Sequence, residues 1–98
     1  MAKTKAEKSN LDRLNANVTA AVRTVEEAYR ELAHAELALA TATSPTSVEG
    51  RIARRGAIRA VRGANDDRWV EILLKLFLTE DGIDERLKSE LRKIGRRP

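Results

Sequence analysis

Leu11, Val18, Val25, Leu32 and Leu39 recur every seven residues, and Leu14, Ala21, Ala28, Ala35 and Ala42 form a second seven-residue series three places on. This is an a/d heptad seam, with large residues at one position and mostly alanine at the other. Val22 and Tyr29 widen it. Neither glycine nor proline interrupts the stretch, and alanine loses no side-chain entropy in a helix, so one long helix is predicted over about 10–42. Ser9 or Asn10 is the expected N-cap, because its side-chain oxygen can accept from an orphan N–H of the first turn. Small residues at alternate seam positions let two helix axes approach closely. The seam therefore predicts a tightly packed antiparallel pair, within the chain or across a dimer. At about 1.5 Å per residue the helix is about 45–50 Å long, more than the usual diameter of so small a domain. Part of the seam is thus expected to meet a second subunit, as a homodimer.

"TSPTS", Thr43 to Ser47, breaks the pattern. Pro45 disfavours helix at Ser44, and Thr46 followed by Glu49 has capping-box spacing. The linker is short, so a second helix over about 48–62 should fold back antiparallel. "GANDD" punctuates next, with Asn65 or Asp66 as the cap of a third helix over about 66–79. Its apolar set is Trp69, Val70, Ile72, Leu73, Leu74, Leu76, Phe77 and Leu78, the densest in the chain and the expected core. Gly82 suits a backbone position with positive φ. Asp84 can cap a fourth helix over about 84–94, with Ile83, Leu87, Leu91 and Ile94 on one face. No alternating apolar run with turn chemistry suggests a strand. The fold class expected is all-α: a basic flexible tail over 1–8, then a single helical-bundle domain over 9–98, ending in the basic "RRP".

The chain has 98 residues, too few for more than one domain. So short a chain buries only about 60–65% of the surface its unfolded form exposes, which makes association a natural remedy. It has no cysteine, which excludes disulfides and thiolate metal sites and is compatible with the cytoplasm. The longest apolar run, "WVEILLKLFL", contains Glu71 and Lys75 and falls short of a membrane span. The lysines of "MAKTKAEKSN" are not followed by an apolar segment, so this is not a signal peptide. A net charge of +4 favours polyanions or acidic partners. The charge is blocked: residues 11–43 hold three arginines against five acids, whereas 44–65 hold five arginines against Glu49 alone.

Those five arginines, Arg51, Arg54, Arg55, Arg59 and Arg62, are the main functional candidates. On a helix, Arg51, Arg55, Arg59 and Arg62 fall within an arc of about 80°, with Arg54 flanking them. The opposite side carries Ala53, Gly56, Ala57, Ala60, Gly63 and Ala64. Glycines cost about 1 kcal/mol each inside a helix, so their recurrence suggests close approach to another backbone, with the alanine seam of the first helix as the expected surface. Ile58, near the Arg edge, is expected as a partner contact or an exposed residue. Guanidinium forks match phosphate and carboxylate and keep their charge at physiological pH. A stripe about 17 Å long could follow several backbone phosphates. In the competing reading, these arginines pair with Glu26, Glu27, Glu31, Glu36, Asp66 or Asp67, or face water. No turn of the right length completes a helix-turn-helix. No aromatic residue interleaves the basic segment to stack single-stranded bases.

His34 is the only histidine and has no metal-ligand constellation around it, so it reads as a surface or interface residue. Glu26–Glu27, Asp66–Asp67 and Glu80–Asp81 read as surface and cap positions rather than an acid/base pair. No metal and no cofactor is expected. In layout, a long first helix, a short Pro-containing loop and further helices in under 100 residues, the chain resembles the all-helical chorismate mutases. Those form intertwined dimers whose cationic pockets bind a dicarboxylate, using two arginines and a lysine of the first helix. Arg13 and Arg30 have suitable separation, but no lysine occurs between Lys8 and Lys75, and "AELALATAT" has no base. The expected function is therefore a small non-enzymatic binding protein, regulatory or accessory, that contacts nucleic acid or another anionic partner through the arginine stripe. The alternative is a protein–protein adaptor or structural subunit of a helical assembly. A small helical enzyme of chorismate-mutase-like layout comes third.

Overall fold

The structure, a computed structural model, describes residues 5–95, so the first four residues of the expected tail and the final "RRP" lie outside the described residues. Four helices follow in order: α1 Lys5–Thr41, α2 Val48–Ala64, α3 Asp67–Phe77 and α4 Glu85–Gly95. Helix accounts for 83% of the described residues, which include no strand. No described helix is long and apolar enough to cross a membrane.

The helix ends follow local chemistry, with two departures from expectation. Helix α1 begins at Lys5 rather than at a Ser9 or Asn10 cap, because nothing between Lys5 and Asn10 breaks a helix. The Asn10 side-chain Oδ1 instead accepts from Arg13 one turn on, at 2.8 Å. At α2 the cap is Ser47, not Thr46. The Ser47 hydroxyl donates to the Ser44 carbonyl at 2.8 Å and accepts from the Gly50 N–H at 2.9 Å, which locks the Pro45 turn onto the first helical turn. Thr46 spends its hydroxyl on Ser44. Asn65 ends α2 in the left-handed region with φ 50°, and Asp66 then caps α3 by accepting from the Arg68 N–H at 3.0 Å. Asp84 does the same for α4 through the Arg86 N–H at 2.8 Å. Gly82 takes φ 84° in the loop between α3 and α4.

Helix α2 folds back along the C-terminal half of α1, where Ala33, Leu37 and Ala40 meet the small face Ala53, Ala57, Ala60 and Val61. Helices α3 and α4 and the loop between them close the other side with Val70, Leu73, Phe77, Ile83, Leu87, Leu91 and Ile94. Ile72 and Leu76, expected in the core, stay exposed at the outer face of α3.

The heptad seam is not the surface that meets α2. The buried and half-buried positions of α1 are Glu26, Tyr29, Arg30, Ala33, Glu36, Leu37 and Ala40, a different face. The reason is complementary size. The alanines of α2 accept a face with one large residue, Leu37, between two alanines. The glycines of α2 then receive the bulkier neighbours: Gly56 lies under the Glu36 carboxylate and Gly63 under the Tyr29 ring. Their close approach is to side chains of α1, not to its backbone or its seam. Only Gly50 opposes a backbone, the Ser44 carbonyl.

Residues 7–25 of α1 are exposed on every face. The helix therefore runs beyond the bundle as an arm. The molecule extends 61 × 25 × 20 Å with a radius of gyration of 18.5 Å. A compact chain of this length has about 13 Å.

Candidate nucleic-acid interface

Helix α2 carries two kinds of arginine. Arg51, Arg55, Arg59 and Arg62 are exposed, and the turns of the helix bring them onto one side. Among the described residues none of the four has a carboxylate partner. Two of the acids expected to neutralise them, Asp66 and Glu36, are placed otherwise. Asp66 lies beside Arg30, at 3.7 Å, and Arg68, at 3.4 Å. Glu36 sits against Gly56. Arg55, Arg59 and Arg62, with Ile58 and with Glu90 of α4, line a hollow of about 250 Å³.

Arg54 departs from the stripe. It is 1% exposed and turned into the protein. Its Nε and one terminal nitrogen donate to the two carboxylate oxygens of Glu80, each at 2.7 Å. Its remaining donors reach the Gly50 carbonyl at 3.0 Å and the Thr43 carbonyl at 3.2 Å. The guanidinium also lies 5.2 Å from the centre of the Phe77 ring. Arg54 thus ties the end of α1, the start of α2 and the loop after α3 together, and its burial keeps it from an outside anion. Its offset from the other four on the helical wheel was the signal for this. Glu80, its partner, could not be found from sequence, because the pairing depends on where the loop after α3 returns.

Ile58 is also corrected: it is 2% exposed and belongs to the core. Val48 and Ile52, by contrast, are 67% and 62% exposed, on the same side of α2 as the arginines. That side therefore mixes charge with two apolar residues at its N-terminal end.

The remaining candidate chemistry is structural. The Asp66 carboxyl is held below its ordinary value of 3.8, chiefly by the Arg68 side chain and backbone N–H, with smaller help from the Arg68 and Arg30 charges. His34 packs edge-on against Trp69, ring centres 6.2 Å apart. No group of three potential ligands among the described residues could hold a metal ion. A hollow of about 620 Å³ between α3 and α4 is lined by Asn65, Asp67, Val70, Glu71, Leu74, Ile94 and Gly95, with no base or nucleophile facing an acid. Arg13, on the arm, bonds to Asn10, whereas Arg30 lies beside Asp66. The two are about 25 Å apart along α1, so they do not share a pocket within one chain.

The nine seam residues are placed together but left uncovered. Leu11, Leu14, Val18, Ala21, Val25, Ala28, Leu32, Ala35 and Leu39 are all exposed. Val18 is 63% and Val25 53% exposed. Where the arm leaves the bundle, Val18, Ala21, Val22, Val25, Glu26 and Gly63 line a mostly apolar hollow of about 460 Å³. No protein-family model, no curated protein and no solved structure matches this chain.

Proposed function

We propose that this chain is a small non-enzymatic binding protein, of regulatory or accessory type, that contacts nucleic acid through Arg51, Arg55, Arg59 and Arg62 and associates with a second copy through the α1 seam. One observation carries the nucleic-acid reading. Four arginines are exposed on one side of α2, and no carboxylate of the described chain pairs with them. Unpaired guanidinium groups along a helix suit a row of phosphates, whose neutralisation releases counterions and makes binding strongly salt-dependent. Duplex binding measured across a range of salt is the test, and no binding at low salt overturns the reading.

A second reading is favoured by Val48 and Ile52, which stand exposed beside the arginines. Phosphates need no such apolar contact, whereas an acidic amphipathic helix of another protein would use both. Under this reading the chain is an adaptor or a structural subunit of a helical assembly. Ile52→Glu separates the two. It abolishes capture of an acidic partner while only weakening duplex binding.

A further inference from the structure

Seven of the eleven large hydrophobic residues left exposed lie on α1: Leu11, Leu14, Val18, Val22, Val25, Leu32 and Leu39. They lie on or beside the heptad seam. Helix α2 packs on a different side of α1, bordering the seam only where Gly63 reaches the hollow beside Val18 and Val25, and Trp69 of α3 touches His34 on yet another, so the seam residues stay exposed. Resting on the dimer reading above, we infer that two copies pair antiparallel along the full length of α1, with the dyad between Glu26 and Glu27.

Three features carry the direction and the register. The first is size. One seam series is Leu, Val, Val, Leu, Leu and the other is Leu followed by four alanines. In a parallel pair like faces like, so layers of two large residues would alternate with layers of two alanines and leave voids. In an antiparallel pair each large residue faces an alanine, and the helices keep one close separation throughout. Val25 then faces the partner's Ala28, Val18 the partner's Ala35, and Leu11 the partner's Ala42. Leu14 against the partner's Leu39 is the one exception.

The second feature is charge. The positions flanking the seam are Asn10, Asn17, Thr24, Glu31 and Ala38 on one side, and Asn15, Val22, Tyr29 and Glu36 on the other. A parallel pair brings Glu31 toward the partner's Glu36 helix position, twice by symmetry, although the Glu36 carboxylate itself lies over Gly56, and like charges brought together repel. The antiparallel pair sets Glu31 near the partner's Thr24 and Glu36 near the partner's Asn15, so neither carboxylate meets a like charge. Val22 lies beside the partner's Tyr29, at the hollow of about 460 Å³ where the arm leaves the bundle.

The third feature is extent. Leu32 and Leu39 are 44% and 51% exposed although they sit on the bundle half of α1. Pairing through the arms alone would leave them uncovered. The full-length register lays each arm along the other copy's bundle half and covers both. It engages about eighteen residues a side with their flanks, close to the 20–30 of a standard stable interface.

The absence of cysteine makes the test clean. Full-length Leu14→Cys and Leu39→Cys variants are oxidised separately and as a mixture, with mass measured by light scattering beforehand. The expected result is a dimeric mass, a cross-link in the mixture between the two variants, and none in either alone, since identical positions would stand about 35–40 Å apart. A cross-link from Leu14→Cys alone would mean a parallel pair. A Leu14→Cys link to Val25→Cys in place of Leu39→Cys would mean arms-only pairing. Either result overturns the register while leaving the dimer reading standing. A monomeric mass at all concentrations up to about 100 μM overturns both. Val18→Glu, at a position 63% exposed in the single chain, is expected to raise the dissociation constant at least tenfold with helicity retained.

Discussion

Arg54 grips Glu80 with two hydrogen bonds of 2.7 Å from inside the bundle, so the buried arginine of the basic segment is part of the protein's own frame. Removing one partner of a buried ion pair leaves the other charge uncompensated, which costs about 3–5 kcal/mol. Glu80 is itself partly solvated at 24% exposure, so Glu80→Ala is expected at the low end of that range. Urea unfolding followed by circular dichroism measures it. A change under about 0.5 kcal/mol, the usual effect of an ordinary surface substitution, would show that the pair does not hold the loop.

The two glycines facing α1 are expected to respond with opposite sign. A β-carbon at Gly56 would lie 2.7 Å from the Glu36 carboxyl carbon, the mobile end of a flexible chain that can swing aside. Gly56→Ala should therefore gain up to about 1 kcal/mol from helix propensity. At Gly63 the obstacle is the Tyr29 ring. Gly63→Ala must displace that ring, and overpacking costs about 1–3 kcal/mol. Thermal melts of the two variants check the contrast.

Ala28 is exposed in the single chain but central to the seam. Ala28→Leu should leave the melting of dilute, monomeric protein almost unchanged. In the paired form it should overpack the layer with Val25, at about 1–3 kcal/mol. Melting temperature measured against protein concentration reveals the difference.

Asp66 supplies an acid-dependent element at the start of α3. Its carboxyl titrates below 3.8 in the folded chain because the Arg68 side chain and N–H favour the charged form. The unfolded carboxyl binds its proton first as pH falls. The stabilisation is thus fully present above about pH 4 and is lost as pH drops through the lowered folded value. Asp66→Asn keeps an N-cap acceptor but no charge. Its stability deficit relative to the parent should be steady near neutrality and shrink below about pH 4, as read from melts at stepped pH.

How much of this was legible in the sequence depends on the range of the physics involved. Helix identities followed from local signals: alanine-rich propensity, Pro45, and the caps Asp66 and Asp84. The shift of the α2 cap from Thr46 to Ser47 was not legible, since Ser44 engages both hydroxyls and only their geometry decides. Periodicity found the seam but misassigned what α2 covers. A heptad shows that a face is apolar, whereas a neighbouring helix chooses its face by fit, and here Leu37 between Ala33 and Ala40 fitted better. Of the five arginines taken as one candidate site, Arg51, Arg55, Arg59 and Arg62 are exposed on α2 and Arg54 is buried. Arg54 needed the position of Glu80, set by a loop 26 residues away.

The central claim, that the exposed arginines of α2 meet phosphates, is tested most directly by the salt dependence of duplex DNA binding for the full chain and for Arg51→Ala, Arg55→Ala, Arg59→Ala and Arg62→Ala. A phosphate-contacting stripe gives a steep linear fall of log affinity with log salt, and each substitution should lower the slope by about one unit. Arg13→Ala, on the exposed arm, should change it little. Binding that is absent at low salt, or a slope that the four α2 substitutions leave unaltered, would contradict the account.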